Sequence, residues 1–179
     1  MEHYLVITAV GTDRPGISDE ITRLITHCGC NIVDSRLALF GHEFTLIMLL
    51  SGNTNAMSRV EATLPLKAQE HDLLTVMKRT EKHEYRFFPY TADFSIEATD
   101  SPGLIEQFTH FFAHKNVDIA SLSAQTHESH DVDAPNKFQL QISTNLPEDC
   151  NLITLQEEYE ALCQDLLVTG SVTFVGHNQ

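Results

Sequence analysis

The chain has 179 residues and 42% of them are hydrophobic, enough to build one large domain or two small ones. It carries 11 Lys and Arg against 25 Asp and Glu, a formal net charge of −14. Because duplex DNA is bound through basic side chains that displace counterions, this charge argues against direct nucleic-acid binding. The longest apolar runs are strand-sized, no leader is visible, and four cysteines do not suggest a disulfide framework. We therefore expect a cytoplasmic protein without a membrane span.

The first predicted elements are a strand, a turn and a helix. Leu5, Ile7 and Ala9 alternate as one face of a strand does. The turn Thr12–Gly16 follows, and its Pro and Gly are typical of a tight connection. Apolar residues then recur with the i, i+4, i+7, i+8 spacing of a helix face. They are Ile17, Ile21, Leu24 and Ile25.

The rest of the first half continues with two strands, a helix and a last strand. Gly29 is predicted to end the first helix, with Cys28 on its buried face. The predicted strands are Cys30–Phe40, Phe44–Ser51 and Leu73–Thr80, and the predicted helix is Asn55–Leu64, with a possible continuation past Pro65.

The second half repeats this plan. Thr99–Gly103 repeats the turn Thr12–Gly16 at an offset of 100 − 13 = 87 residues. At the same offset the helix face recurs as Leu104, Phe108, Phe111 and Phe112, and the strand face as Ala92, Phe94 and Ile96. The later predicted elements are the strands Val117–Thr126, Phe138–Thr144 and Ser171–Val175, and the helix Leu152–Leu167.

The order β-α-β-β-α-β occurs twice and predicts an α+β protein of two tandem ferredoxin-like domains. Each domain is expected to be a four-stranded antiparallel sheet with two helices on one face. We place the first domain at residues 1–80, a short charged linker at 81–89 and the second domain at 90–179.

These features resemble the ACT domain family. The resemblance is carried by the element order, by the two turns, and by Asn31-Ile32 and Asp118-Ile119 at the start of each second strand. It implies regulatory modules that commonly bind amino acids, usually at an interface between two copies. It also implies a ferredoxin-like fold along nearly the whole chain.

Two such domains without a catalytic one, and the N-terminal run Tyr4–Gly16, resemble bacterial transcriptional repressors built from paired ACT domains. That resemblance implies a non-enzymatic, glycine-responsive regulator that holds a LysR-type activator protein in a repressing complex. Such a regulator need not contact DNA, and it needs no cofactor. The alternative is an adaptor whose ACT pair mediates assembly and binds no ligand.

The two turns are the candidate ligand sites. Each opens into a helix whose unpaired N–H groups and positive dipole end suit a carboxylate. If the second strand lies beside the first, Asn31 or Asp118 can accept hydrogen bonds from an ammonium group. The candidate residues are Asp13, Arg14, Pro15, Gly16, Ile17, Asn31 and Ile32, and Asp100, Ser101, Pro102, Gly103, Leu104, Asp118 and Ile119. The alternative is that the turns are only tight connections.

The two turns differ in chemistry. Ser101 replaces Arg14, and Asp118 replaces Asn31. Asp118 can pair with an ammonium group but repels a nearby carboxylate. The first turn is therefore the better candidate for an amino acid.

The two predicted sheets differ as well. In the second, apolar residues alternate with polar ones, so one face is core and the other is wet. In the first, the outward positions are mostly apolar, and the face should be covered. These positions include Val6, Val10, Ile47 and Leu49, with Thr8 and Thr45 among them. The cover is the second domain, a second subunit in a homo-oligomer, or a partner protein; the alternative is that these residues are simply exposed.

Other chemical signals are weak. The segment His127–Asp133 holds His and carboxylate side chains, but its spacing matches no strong metal motif, and we interpret it as a solvated loop that can contact a partner. Cys28 and Cys30 lack further thiol ligands nearby in the chain. No catalytic motif is present, so we predict no metal site and no enzyme.

Overall fold

The computed structural model describes residues 2–82, 87–99, 101–128 and 135–177. The chain divides into two compact units, Met1–Tyr85 and Arg86–Gln179. Over the described residues, each unit contains four strands and two helices. The finer limits 1–80, 81–89 and 90–179 stay a prediction. None of the helices described combines the length and the apolar character needed to cross a membrane.

The first unit has the predicted element order. Its elements are β1 (His3–Thr12), α1 (Ile17–His27), β2 (Asn31–Phe40), β3 (Glu43–Gly52), α2 (Thr54–Glu70) and β4 (Leu74–Thr80). The strands form an antiparallel sheet in the order β2-β3-β1-β4. Helix α2 runs through Pro65 to Glu70, so the continuation past Pro65 is confirmed.

The second unit repeats the same topology. Its elements are β5 (Tyr90–Thr99), α3 (Leu104–His114), β6 (Asp118–His127), β7 (Lys137–Leu146), α4 (Leu152–Asp165) and β8 (Thr169–Gly176). The sheet order is β6-β7-β5-β8, again antiparallel. Strands β3, β7 and β8 extend one or two residues beyond both predicted ends, whereas β2, β4 and β6 each begin one residue later than predicted.

The core of each unit lies between one sheet face and the two helices. In the first unit the alternating residues of β1 pack with the apolar face of α1, as predicted: Leu5, Ile7, Ala9, Ile17, Ile21 and Ile25 are all at most 2% exposed. In the second unit the equivalent positions include Phe94, which packs edge-on against Phe112 and Tyr159 at centroid distances of 4.7 and 4.8 Å. The repeated pattern therefore builds two separate cores.

The helix starts follow two designs. Helices α2 and α4 are capped at their N-termini by Asn53 and Asn151, whose side chains accept hydrogen bonds from backbone N–H groups at 2.9 to 3.1 Å. Helices α1 and α3 have Gly16 and Gly103 as their N-cap residues, with φ of 92° and 90° and no side-chain hydrogen bond to the helix N-terminus. Only the second design leaves the helix N-terminus without a capping side chain, and it occurs at both predicted ligand turns.

The outer sheet faces differ as the sequence predicts. Pairing across the first sheet places Asp34, Leu49, Val6 and Lys78 in one row and Arg36, Ile47, Thr8 and Val76 in the next. The corresponding rows of the second sheet are polar and include Asp93, Glu97, Gln139, Gln141 and Ser143. A bulge after Ile32 in β2 and another after Ile119 in β6 set which residues face outward.

Candidate functional site

Beside the first predicted turn, Asp13–Gly16, side chains of the same unit form a charged cluster. The Arg14 guanidinium donates to both carboxylate oxygens of Glu20 at 3.1 and 3.0 Å. Arg14 Nη2 also lies 3.0 Å from Nδ1 of His71, the residue that ends α2. A guanidinium only donates, so His71 Nδ1 is the acceptor in this contact. Arg14 is therefore engaged within its own unit, and a ligand carboxylate would compete with Glu20 for it.

Glu20 links this cluster to the start of α1. Its carboxylate lies 2.8 Å from His71 Nε2, although the two are not aligned as a hydrogen bond. The hydrogen-bonded Arg14 guanidinium holds the pKa of Glu20 below its usual value, and this effect outweighs partial desolvation of the carboxylate. Leu73 fills the adjacent space by packing against Gly11. Arg14, Glu20 and His71 thus form a charged cluster beside the turn, while Asp13, Pro15 and Gly16 themselves stay exposed.

Glu20→Gln should lower the thermal midpoint slightly at pH 7, and the difference should shrink as the pH falls below about 4.3. A carboxyl whose folded pKa is lowered contributes stability above its unfolded pKa, and that contribution is lost as pH falls through the folded pKa. Thermal unfolding measured from pH 7 downwards checks the prediction. In an Arg14→Ser background the same substitution should have a smaller effect, and an equal loss there would contradict the pairing.

The second predicted turn lacks this charged cluster. Ser101 replaces Arg14, Gln107 replaces Glu20, and Leu166 at the end of α4 replaces His71. Beside the turn lies a cavity of about 510 Å³, lined by Ser101, Pro102, Gly103, Leu104, Gln107 and residues 166–168. This volume lies in the range of small-molecule clefts. Asp100 lies outside the described residues.

Leu167 lines this cavity and has a backbone conformation that is unusual for a leucine. It is 93% exposed and has a left-handed backbone with φ of 54°. Asp72, at the matching place in the first unit, has the same φ of 54° but a polar side chain. An apolar, β-carbon-bearing residue gains nothing in stability from this position.

Asn31 and Asp118 do not lie beside their own turns, which corrects the expected neighbour relation. Strand β3 separates β2 from β1, and Asn31 is level with Ser51 and Tyr4, at the opposite end of β1 from the turn. The separation is roughly 25 Å at about 3.3 Å per residue. Asp118 is placed equivalently, and its carboxylate lies 3.5 Å from Asn145 Nδ2. Ile32 and Ile119 share this placement.

No cluster of three or more His, Cys, Asp or Glu side chains that could hold a metal ion occurs in the part of the chain that the structure describes. The segment His127–Asp133 lies mostly outside the described residues. Burial raises the pKa of the thiols of Cys30, Cys150 and Cys163, which lowers the fraction of reactive thiolate. Cys28 is buried, as predicted from its helix face.

Comparison with known proteins gives a consistent result. A family model described as the ACT domain matches residues 3–78. The chain is 44% identical over 178 residues to the glycine cleavage system transcriptional repressor of Escherichia coli (strain K12), covering 99% of this chain and 93% of the relative. A crystal structure assigned provisionally to that repressor is 51% identical, covers 99% of both chains and has a TM-score of 0.74.

A more distant structure shows the fold alone. A protein of unknown function from Galdieria sulphuraria is 19% identical, covers 98% of this chain and 99% of its own, and has a TM-score of 0.76. Two ferredoxin-like domains in tandem thus recur in a protein that shares little sequence with this one.

Proposed function

This chain belongs to the family of the glycine cleavage system transcriptional repressor, and from that premise we propose that it is a glycine-responsive repressor acting through a partner activator. The repressor role itself rests on the identity to relatives along almost the whole chain. A LysR-type activator is the partner that the ACT-pair resemblance implies. The net charge of −14 supports this indirect route, because an acidic surface repels the phosphates of DNA. Such a regulator would act in the cytoplasm and would not be an enzyme.

The observation that carries the sensing part is the cavity beside the second turn. Gly103 holds the turn with φ of 90°, and α3 begins there without a side-chain cap. Its first N–H groups can bind a carboxylate without a cationic side chain. Ser101 and Gln107 offer neutral hydrogen-bonding groups nearby, and Leu104 is buried beneath the turn. Uncapped N–H groups and neutral hydrogen-bonding side chains of this kind suit the carboxylate of an amino acid, and glycine is the amino acid named in the system of the relatives.

The geometry favours the second turn over the first, although Arg14 made the first the better candidate in the sequence. Arg14 is bound to Glu20 and His71, so a ligand carboxylate at the first turn would have to compete with those contacts. Asn31, Ile32, Asp118 and Ile119 can join a turn only if they come from another copy of the domain. That arrangement is the one that the resemblance to ACT domains implies.

Amino-acid binding is tested with the full chain. A thermal-shift panel of the twenty amino acids should show a response to glycine, worth about 2.7 kcal/mol at a hundred times its dissociation constant. Ser101→Arg with Gln107→Glu, which introduces the counterparts of Arg14 and Glu20 at the second turn, should abolish the response. Arg14→Ser with Glu20→Gln is the matched control and should leave it unchanged. Loss of the response in the control alone would move the ligand to the first turn.

The partner route has a separate test. The chain should co-purify with a LysR-type activator and fail to shift the promoter DNA when the activator is left out. A shift by the chain alone would contradict the indirect route. Capture of the activator without any amino-acid response, alone or in the complex, would favour the ligand-free adaptor instead.

A further inference from the structure

The outer face of the first sheet is apolar in its centre and charged at two opposite edges. Val6 and Leu49 occupy the middle of one row, with Asp34 on the β2 side and Lys78 on the β4 side. The next row places Ile47, 43% exposed, and Val76, 68% exposed, on the same face. A shallow apolar groove of about 180 Å³ runs between Val6, Ile47 and Leu49 and is bordered by Asp34 and Arg36.

The edge charges are poorly satisfied within the chain. Arg36 lies 3.9 Å from Asp34, and both side chains are more than 60% exposed, so this pair contributes little. No carboxylate in the described part of the chain forms an ion pair with Lys78. Asp34 and Lys78 are therefore available for stronger partners outside the unit.

We propose that this face packs against the same face of a second copy of the chain, with Asp34 of each copy opposite the partner's Lys78. A rotation of 180° about an axis parallel to the strands keeps each row at its level and reverses the strand order. Strand β2 then lies over the partner's β4. Asp34 meets the partner's Lys78, Leu49 meets the partner's Val6, and both contacts occur twice, as two-fold symmetry requires.

An axis perpendicular to the strands is the other two-fold arrangement of this face. It would place β2 over the partner's β2, so that with the axis between the two rows Asp34 would meet the partner's Arg36 and Lys78 would meet no carboxylate. Reversing the charge of Lys78 separates the two arrangements, because only the axis parallel to the strands pairs Lys78 with the partner's Asp34. The second unit's outer face is polar at Asp93, Glu97 and Gln141, so it does not offer the apolar surface that Val6, Ile47 and Leu49 match. The same face of another copy offers both the apolar centre and the complementary charges.

The area of the face suits a dimer. Strands spaced about 4.8 Å apart, with about eight residues each at 3.3 Å per residue, give roughly 500 Å² per copy and roughly 1,000 Å² in all. That total reaches the lower limit for a specific interface. Aligned sheets pack about 30° apart because of their twist, which long side chains such as Lys78 can follow. The inference is independent of the proposed glycine response.

Charge reversal tests this packing in the full chain. Sedimentation equilibrium should show a wild-type dimer, whereas Asp34→Lys alone and Lys78→Asp alone should each weaken self-association roughly ten- to a hundredfold, because like charges then meet twice. An equimolar mixture of the two variants should dimerise again, since each then meets an opposite charge. Ile47→Lys, in the apolar centre, should also weaken self-association.

Controls separate this interface from other causes. Glu97→Lys, on the polar outer face of the second unit, should leave the association constant unchanged. Circular dichroism should show that the variants stay folded, because the substituted positions are exposed or partly exposed. A wild-type chain that is monomeric at every concentration would overturn the proposal. So would single variants that dimerise normally, or a mixture that stays monomeric.

Discussion

Phe94→Ala is expected to lower the free energy of unfolding of the second unit by about 3–5 kcal/mol. Phe94 is 1% exposed and lies at the centre of an aromatic group, edge-on to Phe112 and to Tyr159. Removing the ring loses its transfer free energy and leaves a cavity, and it also removes two edge-to-face contacts. Because these rings are buried among rigid strands and helices, the site cannot collapse to fill the space.

Urea unfolding followed by far-ultraviolet circular dichroism measures this loss, and hydrogen exchange of the β5 amides assigns it to the second unit. Ser95→Ala is the matched control, since the neighbouring side chain points to the outer face and its loss should cost less than about 0.5 kcal/mol. A loss below about 1 kcal/mol for Phe94→Ala would contradict the packing described for this core.

Gly170→Ala is expected to destabilise the second unit by about 1–3 kcal/mol. An added Cβ would overlap Cys163 Sγ and come within 2.6 Å of Tyr159 Oη. The tyrosine cannot move aside easily, because its hydroxyl lies 3.1 Å from the carbonyl oxygen of Ser95 and 3.4 Å from that of Ser171. Tyr159→Phe in the same chain should recover part of the loss, because it removes one of the two overlapping atoms.

Gly11→Ala provides the contrast in the first unit. There the added Cβ overlaps the end of the Leu73 side chain, which can adopt another rotamer, and lies 3.3 Å from the carbonyl oxygen of Asp72, which must shift only slightly. We expect a cost below about 1 kcal/mol at this position. Equal costs for Gly11→Ala and Gly170→Ala in thermal unfolding would show that the tyrosine anchor is not what makes Gly170 necessary.

The sequence predicts the fold well where the pattern is periodic. The spacing of Ile17, Ile21 and Ile25 and its repeat at Leu104, Phe108 and Phe112 identify both helices, because burial on one face requires it. The position of β2 at the sheet edge could not be predicted in this way. Strand order is decided by the crossover connections, and hydrophobic alternation does not show which strands are neighbours in a sheet. The bulge after Ile32 leaves no clear pattern either.

Only those features of the candidate site that depend on residues adjacent in sequence could be predicted. Gly16 and Gly103 adopt the left-handed conformation that a Pro-Gly turn suggests, and this follows from four adjacent residues. The charged cluster beside the first turn joins Arg14 to His71, 57 residues later in the chain. His71 corresponds to Leu166 at an offset of 166 − 71 = 95, not 87, because the second unit has a longer connection between its second and third strands. A comparison of the two halves at one fixed offset therefore does not show that Leu166 stands in the place of His71.

Leu167 stores backbone strain beside the second cavity. A left-handed leucine, 93% exposed, costs about 1 kcal/mol or more in backbone conformation and buries almost nothing in return. Gly tolerates that conformation without the steric cost of a β-carbon. The stability of the second unit therefore lies below what the same backbone could reach with a different residue at this position. Asp72 and Leu167 share one backbone conformation, and only the second of these matching positions exposes an apolar side chain.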